Sequence, residues 1–159
     1  MKAEDRRRAG TRRMIAVLIE GLSPSIQRLR MQVSEETFAS ETWLHIRTDA
    51  VQIDVMFCLP GLPVVEVTFP QPTPGVHLTY SGRLDRSAST LSRRYYRLVE
   101  GRKSRSKGVT EKLDELADAY VKRQAEALSD LLDASPELDG IRVCSPWVGP
   151  RVTRKPRQV

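Results

Sequence analysis

From Trp43 to Tyr80 apolar and polar residues alternate with a period of two, and no other feature constrains the fold as strongly. Leu44 and Ile46 form the apolar set of a first run and Val51, Ile53, Val55 and Phe57 that of a second. Val65, Val67 and Phe69 belong to a third, and Val76, Leu78 and Tyr80 to a fourth. Successive side chains of a β-strand point to opposite faces, so each run predicts a strand with one apolar face. Turn-forming residues separate the runs: Asp49, then Leu59 to Pro63 around Gly61, then Pro70, Pro72, Pro74 and Gly75. Linkers this short join antiparallel neighbours, which gives a four-stranded antiparallel meander with one buried face. A hairpin centred near Gly61 sets Glu66 opposite Met56 and Thr68 opposite Asp54.

Such a sheet needs a cover, and the flanking segments supply one. Ile15, Leu18, Leu22, Ile26, Leu29 and Val33 recur at spacings of three and four, the stripe of an amphipathic helix. Ser23 followed by Pro24 is a helix-start signal, so this stretch reads as two short helices or one kinked helix. Residues 110–134 form the clearest helix: Thr110 is placed to cap it, and Leu113, Ala117, Tyr120, Leu128 and Leu131 line one side. Between sheet and helix, Leu91, Tyr95 and Leu98 mark one thin helical face that stops at Gly101. Ile141 to Cys144 is a candidate last strand. The expected architecture is α+β: an N-terminal helix, the meander, an Arg-rich helix or loop, and a long C-terminal amphipathic helix packed on the sheet. Residues 1–13 read as a basic flexible tail, 14–145 as a single globular domain, and 146–159 as a basic, proline-containing tail.

The net charge is +6 over 159 residues, but its distribution says more than its total. Residues 1–13 carry six basic and two acidic groups, residues 83–107 nine basic and two acidic, and residues 148–159 four basic and none acidic. The three segments together hold more positive charge than the whole chain, so the remainder is acidic. Most of their cations are arginines, whose planar fork grips phosphate oxygens in pairs and stacks on bases. The internal segment holds Arg83, Arg86, Arg93, Arg94, Arg97, Arg102, Lys103, Arg105 and Lys107, with Tyr95 and Tyr96 able to stack on unpaired bases. The reading that follows is a non-enzymatic nucleic-acid-binding protein that grips phosphates through 83–107 and both tails, DNA and RNA being undistinguished. Phosphorylation of Ser87, Ser104 or Ser106 would cancel part of that charge. A protein-interaction or assembly module, with helix 110–134 or the sheet face as interface to a partner or a second copy, is the alternative.

Absences narrow the class. The longest apolar run, Met14 to Ile19, is far short of a membrane span and of a secretory h-region. Two cysteines, Cys58 and Cys144, make no disulfide framework. The expectation is a reduced protein of the cytoplasm, or of the nucleus in a eukaryotic cell, not secreted. No cofactor is called for: there is no Cys/His zinc spacing, no glycine-rich phosphate loop and no Gly-x-Ser-x-Gly elbow.

The one candidate for catalysis is the pair Asp54 and Glu66, diagonal neighbours in the expected register. Two such carboxylates hold Mg²⁺ beside a phosphodiester in metal-dependent nucleases. Their spacing resembles the restriction-endonuclease-like pattern of an Asp followed by Glu-x-Lys, with a preceding helix that supplies an acid such as Glu20. The resemblance implies a Mg²⁺-dependent nuclease, yet Thr68 stands where that pattern has its Lys and Ile53 where it has a Pro. The favoured reading is that both carboxylates face solvent on a half-exposed sheet. His45 and His77 read as surface histidines on outer faces, and Trp43 as a core residue.

Overall fold

The structure, a computed structural model, describes residues 3–38, 41–58, 62–70, 76–82, 107–133 and 147–154. The four alternating runs are strands, and two more strands extend them into a six-stranded sheet. In chain order these are β1 (Gln32–Thr37), β2 (Glu41–Arg47), β3 (Gln52–Cys58), β4 (Val64–Pro70), β5 (Val76–Gly82) and β6 (Trp147–Arg154). The spatial order is also β1 to β6, every neighbouring pair being antiparallel. The helices are α1 (Ala3–Leu29) and α2 (Lys107–Asp133). The α+β class holds, and the expected meander corresponds to β2–β5.

The register carries the apolar alternation across the sheet. Leu44 faces Val55, which faces Val65; Ile46 faces Ile53, which faces Val67. All six are fully buried, and Val51, Phe57 and Phe69 join them. This face and the two helices enclose one core, to which α1 gives Met14, Ile15, Leu18 and Leu22. From α2 come Leu113, Ala117, Tyr120, Val121, Ala125, Leu128, Leu131 and Leu132. Each large side chain buried this way contributes about 1.5–3 kcal/mol. The apolar stripe read on 110–134 is therefore a core stripe, and Leu116 is the one large apolar residue of α2 left exposed among the described residues.

The two helices run parallel. Arg13 bridges Asp114 and Asp118, Ser25 Oγ meets Ser129 Oγ at 2.9 Å, and Arg28 pairs with Asp133, so both helices advance together. Parallel helix dipoles repel weakly, and these ion pairs at either end offset the repulsion. At the crossing α1 carries Gly21, where a Cβ would lie 2.7 Å from the Cβ of Ala125.

Several boundaries differ from the sequence reading. Residues 3–13, read as a tail, are the first turns of α1, since Ala, Glu and Arg are good helix formers and Arg13 is anchored on α2. Pro24 lies inside α1 rather than at a new start. It removes the N–H that would bond the Glu20 carbonyl, but on this exposed side water can take that carbonyl. α2 starts at Lys107, ahead of Thr110. Val33, placed on the helical stripe, belongs to β1, which escaped notice because Gln-Val-Ser-Glu-Glu-Thr is exposed along its whole length and needs no apolar alternation. Residues 147–154 of the expected C-terminal tail form β6, whose register shifts opposite Thr79 and Ser81, where Gly149 and Pro150 stand. A bulge is where an edge strand tolerates proline. The candidate strand 141–144, and the helical face of Leu91, Tyr95 and Leu98, lie outside the described residues.

α1 ends in a two-bond cap. The Met31 amide bonds the Ile26 carbonyl at 2.9 Å and the Arg30 amide the Gln27 carbonyl at 3.3 Å, with Arg30 at φ 53°. Glycine is the usual occupant of this left-handed position, and a side chain there costs about 1 kcal/mol.

Candidate functional site

Residues opposite one another on antiparallel strands share a face, so the register also lays out the side of the sheet away from the helices. One rung runs Ser34, His45, Asp54, Glu66; the next runs Gln32, Arg47, Gln52, Thr68; the third runs Glu36, Trp43, Met56, Val64. The first rung holds both residues of the carboxylate pair together with His45, and the sequence reading did not connect the histidine to them.

His45 is buried, 8% exposed, although it is on the outer face. β1 makes β2 an interior strand, and the Trp43 ring stacks beside the imidazole at 6.2 Å between centroids. Trp43 is thus half-buried on the outer face rather than in the core, with its Nε1 donating to Glu41 Oε2 at 3.0 Å. Asp54 Oδ1 lies 2.6 Å from His45 Nδ1 and 3.0 Å from Arg47 Nη2. Arg47 has only donors, so the arrangement is satisfied when Nδ1–H and Nη2–H both donate to Asp54. The 3.1 Å approach of Arg47 Nη2 to Nδ1 is then a contact of two donors around one acceptor. His45 Nε2 lies 3.4 Å from Glu36 Oε2.

An Asp-oriented histidine is half of a nucleophile-activating device, and Ser34 is its cross-strand neighbour. Acyl transfer, however, requires the serine hydroxyl on Nε2, and here that nitrogen points to a carboxylate. The cluster works as a polar clamp that ties β1, β2 and β3 together.

The hairpin register corrects the nuclease geometry. Asp54 faces Glu66 directly, and Met56 faces Val64, so the pairing is centred one residue earlier than Gly61 and every partner moves by two. The carboxylates are closer than diagonal neighbours, but Asp54 Oδ1 already accepts from His45 and Arg47, while Glu66 is exposed. Among the described residues no group of three or more His, Cys, Asp or Glu is placed to hold a metal ion. Like charges directly opposite on neighbouring strands destabilise. Glu66→Gln is therefore expected to raise stability by about 0.5 kcal/mol, seen as a higher urea midpoint with unchanged slope. A lower midpoint would mean that a cation holds the Glu66 carboxylate. His77 sits opposite Pro70 and Thr153, four positions along β5 from the partner of Glu66, so the two are not brought together.

No family model, curated protein or solved structure matches the chain.

The phosphate-gripping candidates Arg83, Arg86, Arg93, Arg94, Arg97, Arg102, Lys103 and Arg105, with Tyr95 and Tyr96, lie outside the described residues, as do Ser87, Ser104 and Ser106. Lys107 opens α2. Of the N-terminal arginines, Arg12 pairs with Glu35 at 2.7 Å and Arg13 with Asp114 and Asp118, while Arg8 is exposed. The described part of the basic end thus also braces the fold. Near the C-terminus, Arg151 and Arg154 stand in the edge strand β6. Among the described residues no helix is long and apolar enough to cross a membrane.

Proposed function

We propose that the chain binds nucleic acid without catalysing a reaction, gripping phosphates through residues 83–107 with help from both ends of the chain. The observation that carries this reading is the segregation of charge: nine cations and two acids in 83–107 beside an acidic remainder. Phosphate contacts of this kind release counterions, so binding falls steeply with salt.

The test is fluorescence anisotropy with single- and double-stranded DNA and RNA at several salt concentrations. Wild type should show log affinity falling linearly with log salt. Arg93, Arg94 and Arg97 changed together to Glu should bind about tenfold more weakly or worse, with a shallower slope. An unchanged affinity and slope would sink the proposal.

A protein-interaction module is the second reading, and β1 is the observation that favours it. β1 is an edge strand, exposed throughout, with Val33 within it 45% exposed and Phe38 just after it 57% exposed. Edge strands with free backbone groups invite pairing. Association through such an edge would persist at salt concentrations that strip nucleic acid away.

A further inference from the structure

Where α1 gives way to β1, an open cavity of about 390 Å³ is lined by Arg30, Gln32, Arg47, Thr48, Asp49 and Gln52. Three of these are consecutive across the sheet: Arg47 stands between Gln32 on β1 and Gln52 on β3. A guanidinium flanked by two carboxamides is a row of hydrogen-bond donors. Asp54 takes its bond from Arg47 Nη2, which fixes the plane of the guanidinium and leaves the Nη1 and Nε hydrogens to other partners. Thr48 Oγ1 accepts from the amides of Ala50 and Val51, both at 3.1 Å, and its hydroxyl proton remains a donor. Two cations and one acid, Asp49, line the cavity.

Arg30 sets this cavity apart from an ordinary polar dent. It holds the left-handed cap position, φ 53°, where glycine is the least strained residue. Among the described residues no carboxylate pairs with it. A cation at a helix C-terminus gains from the dipole, but that gain does not require this strained position: Arg28, in the last turn of α1, already supplies such a cation. Side chains held on sparsely populated backbone cluster at ligand sites.

We propose that this cavity binds a phosphate group, clamped between the Arg30 and Arg47 guanidinium groups, with Gln32, Gln52 and Thr48 donating to its remaining oxygens. The site goes beyond the role of 83–107: the phosphate can be free, terminal on a nucleotide, or part of a polynucleotide backbone.

The decisive variant is Arg30→Gly, because the two roles of Arg30 move in opposite directions. With the cap strain relieved, its melting temperature without ligand should rise by about 2 °C. Its affinity for inorganic phosphate, titrated by calorimetry at constant ionic strength, should fall about tenfold. Arg47→Lys, which keeps the charge and loses the fork, should weaken phosphate several-fold. Wild type is also titrated with a nucleoside 5′-monophosphate and with a dinucleotide whose only phosphate is the one joining its two nucleosides. Binding of the first alone assigns a terminal or free phosphate, and binding of both assigns a backbone phosphate. Two outcomes overturn the proposal: no saturable binding of any of these probes by wild type, or unchanged phosphate affinity in both variants. The variant with Arg93, Arg94 and Arg97 changed to Glu should keep its phosphate affinity, so failure here and failure of the nucleic-acid reading are told apart.

Discussion

Replacing Gly21 by alanine is expected to lower stability by about 2 kcal/mol, the reverse of what this substitution does on an ordinary helix. At an unconstrained helical position Gly→Ala gains about 1 kcal/mol, because glycine has more freedom to lose on folding. Gly21 is open to solvent on one side, but its missing Cβ would stand 2.7 Å from the Cβ of Ala125. That contact joins two atoms fixed to backbone, so neither can turn aside, and α1 and α2 must separate. Separation loosens Leu18 and Leu22, both fully buried, and the Ser25–Ser129 hydrogen bond one turn further on. The swap Gly21→Ala with Ala125→Gly moves the methyl across the crossing without adding volume. It should return stability to within about 0.5 kcal/mol of wild type, although Ala125→Gly alone costs about 1 kcal/mol. Urea unfolding of the four proteins measures this coupling. Additive effects, or a Gly21→Ala protein more stable than wild type, would show that the helices do not cross closely here.

The same packing explains why some of the fold was legible in the sequence. Val51, Ile53, Val55, Phe57, Val65, Val67 and Phe69 alternate with mostly polar residues because one face of β3 and β4 is dry and the other is not. A dry face leaves its mark on composition. β1 leaves none: at the sheet edge it buries neither face, and Gln32 to Thr37 has the composition of a loop. β6 hides for a related reason, since Pro150 and Gly149 read as breakers where the edge in fact bulges. At the other end, Arg6 to Arg8 and Arg12 to Arg13 resemble a tail by charge alone. Nothing in one sequence says that Asp114 and Asp118, a hundred residues away, will hold Arg13 in a helix.

The outer face was legible as a set of residues but not as a network. Asp54 and Glu66 stand out as acids in strands, and His45 as a lone histidine. Joining them requires the registers of two hairpins, and each register depends on the centre of its loop: a single-residue shift moves every partner by two. Arg30 and Arg47 do not stand out in the sequence because both lie outside the arginine-rich segments. Only the cap of α1 and the β2–β3 turn bring them to one cavity.

Asp54→Ala carries the other large expected effect, a loss of about 2–3 kcal/mol, and it tests whether the His45 cluster is structural. The change removes the acceptor of two charge-assisted or partly buried hydrogen bonds, from Nδ1 of His45 and Nη2 of Arg47. Arg47 is half exposed and can turn to water, so its share is small. His45 cannot: it is enclosed by Trp43 and the flanking strands, and its Nδ1–H is left without an acceptor. Relief of the Asp54–Glu66 repulsion offsets a few tenths of a kcal/mol. Asp54→Asn keeps an oxygen in the same place but loses the charge, so it should cost roughly half as much as alanine. The cost of asparagine separates a hydrogen-bond role from a packing role, in which asparagine, nearly the same size as aspartate, would cost almost nothing. A cycle with His45→Gln should show coupling above about 1 kcal/mol. An Asp54→Ala protein within about 0.5 kcal/mol of wild type, with no coupling to His45, would mean that β1, β2 and β3 are held by their backbone ladder and that the carboxylate is free for another task.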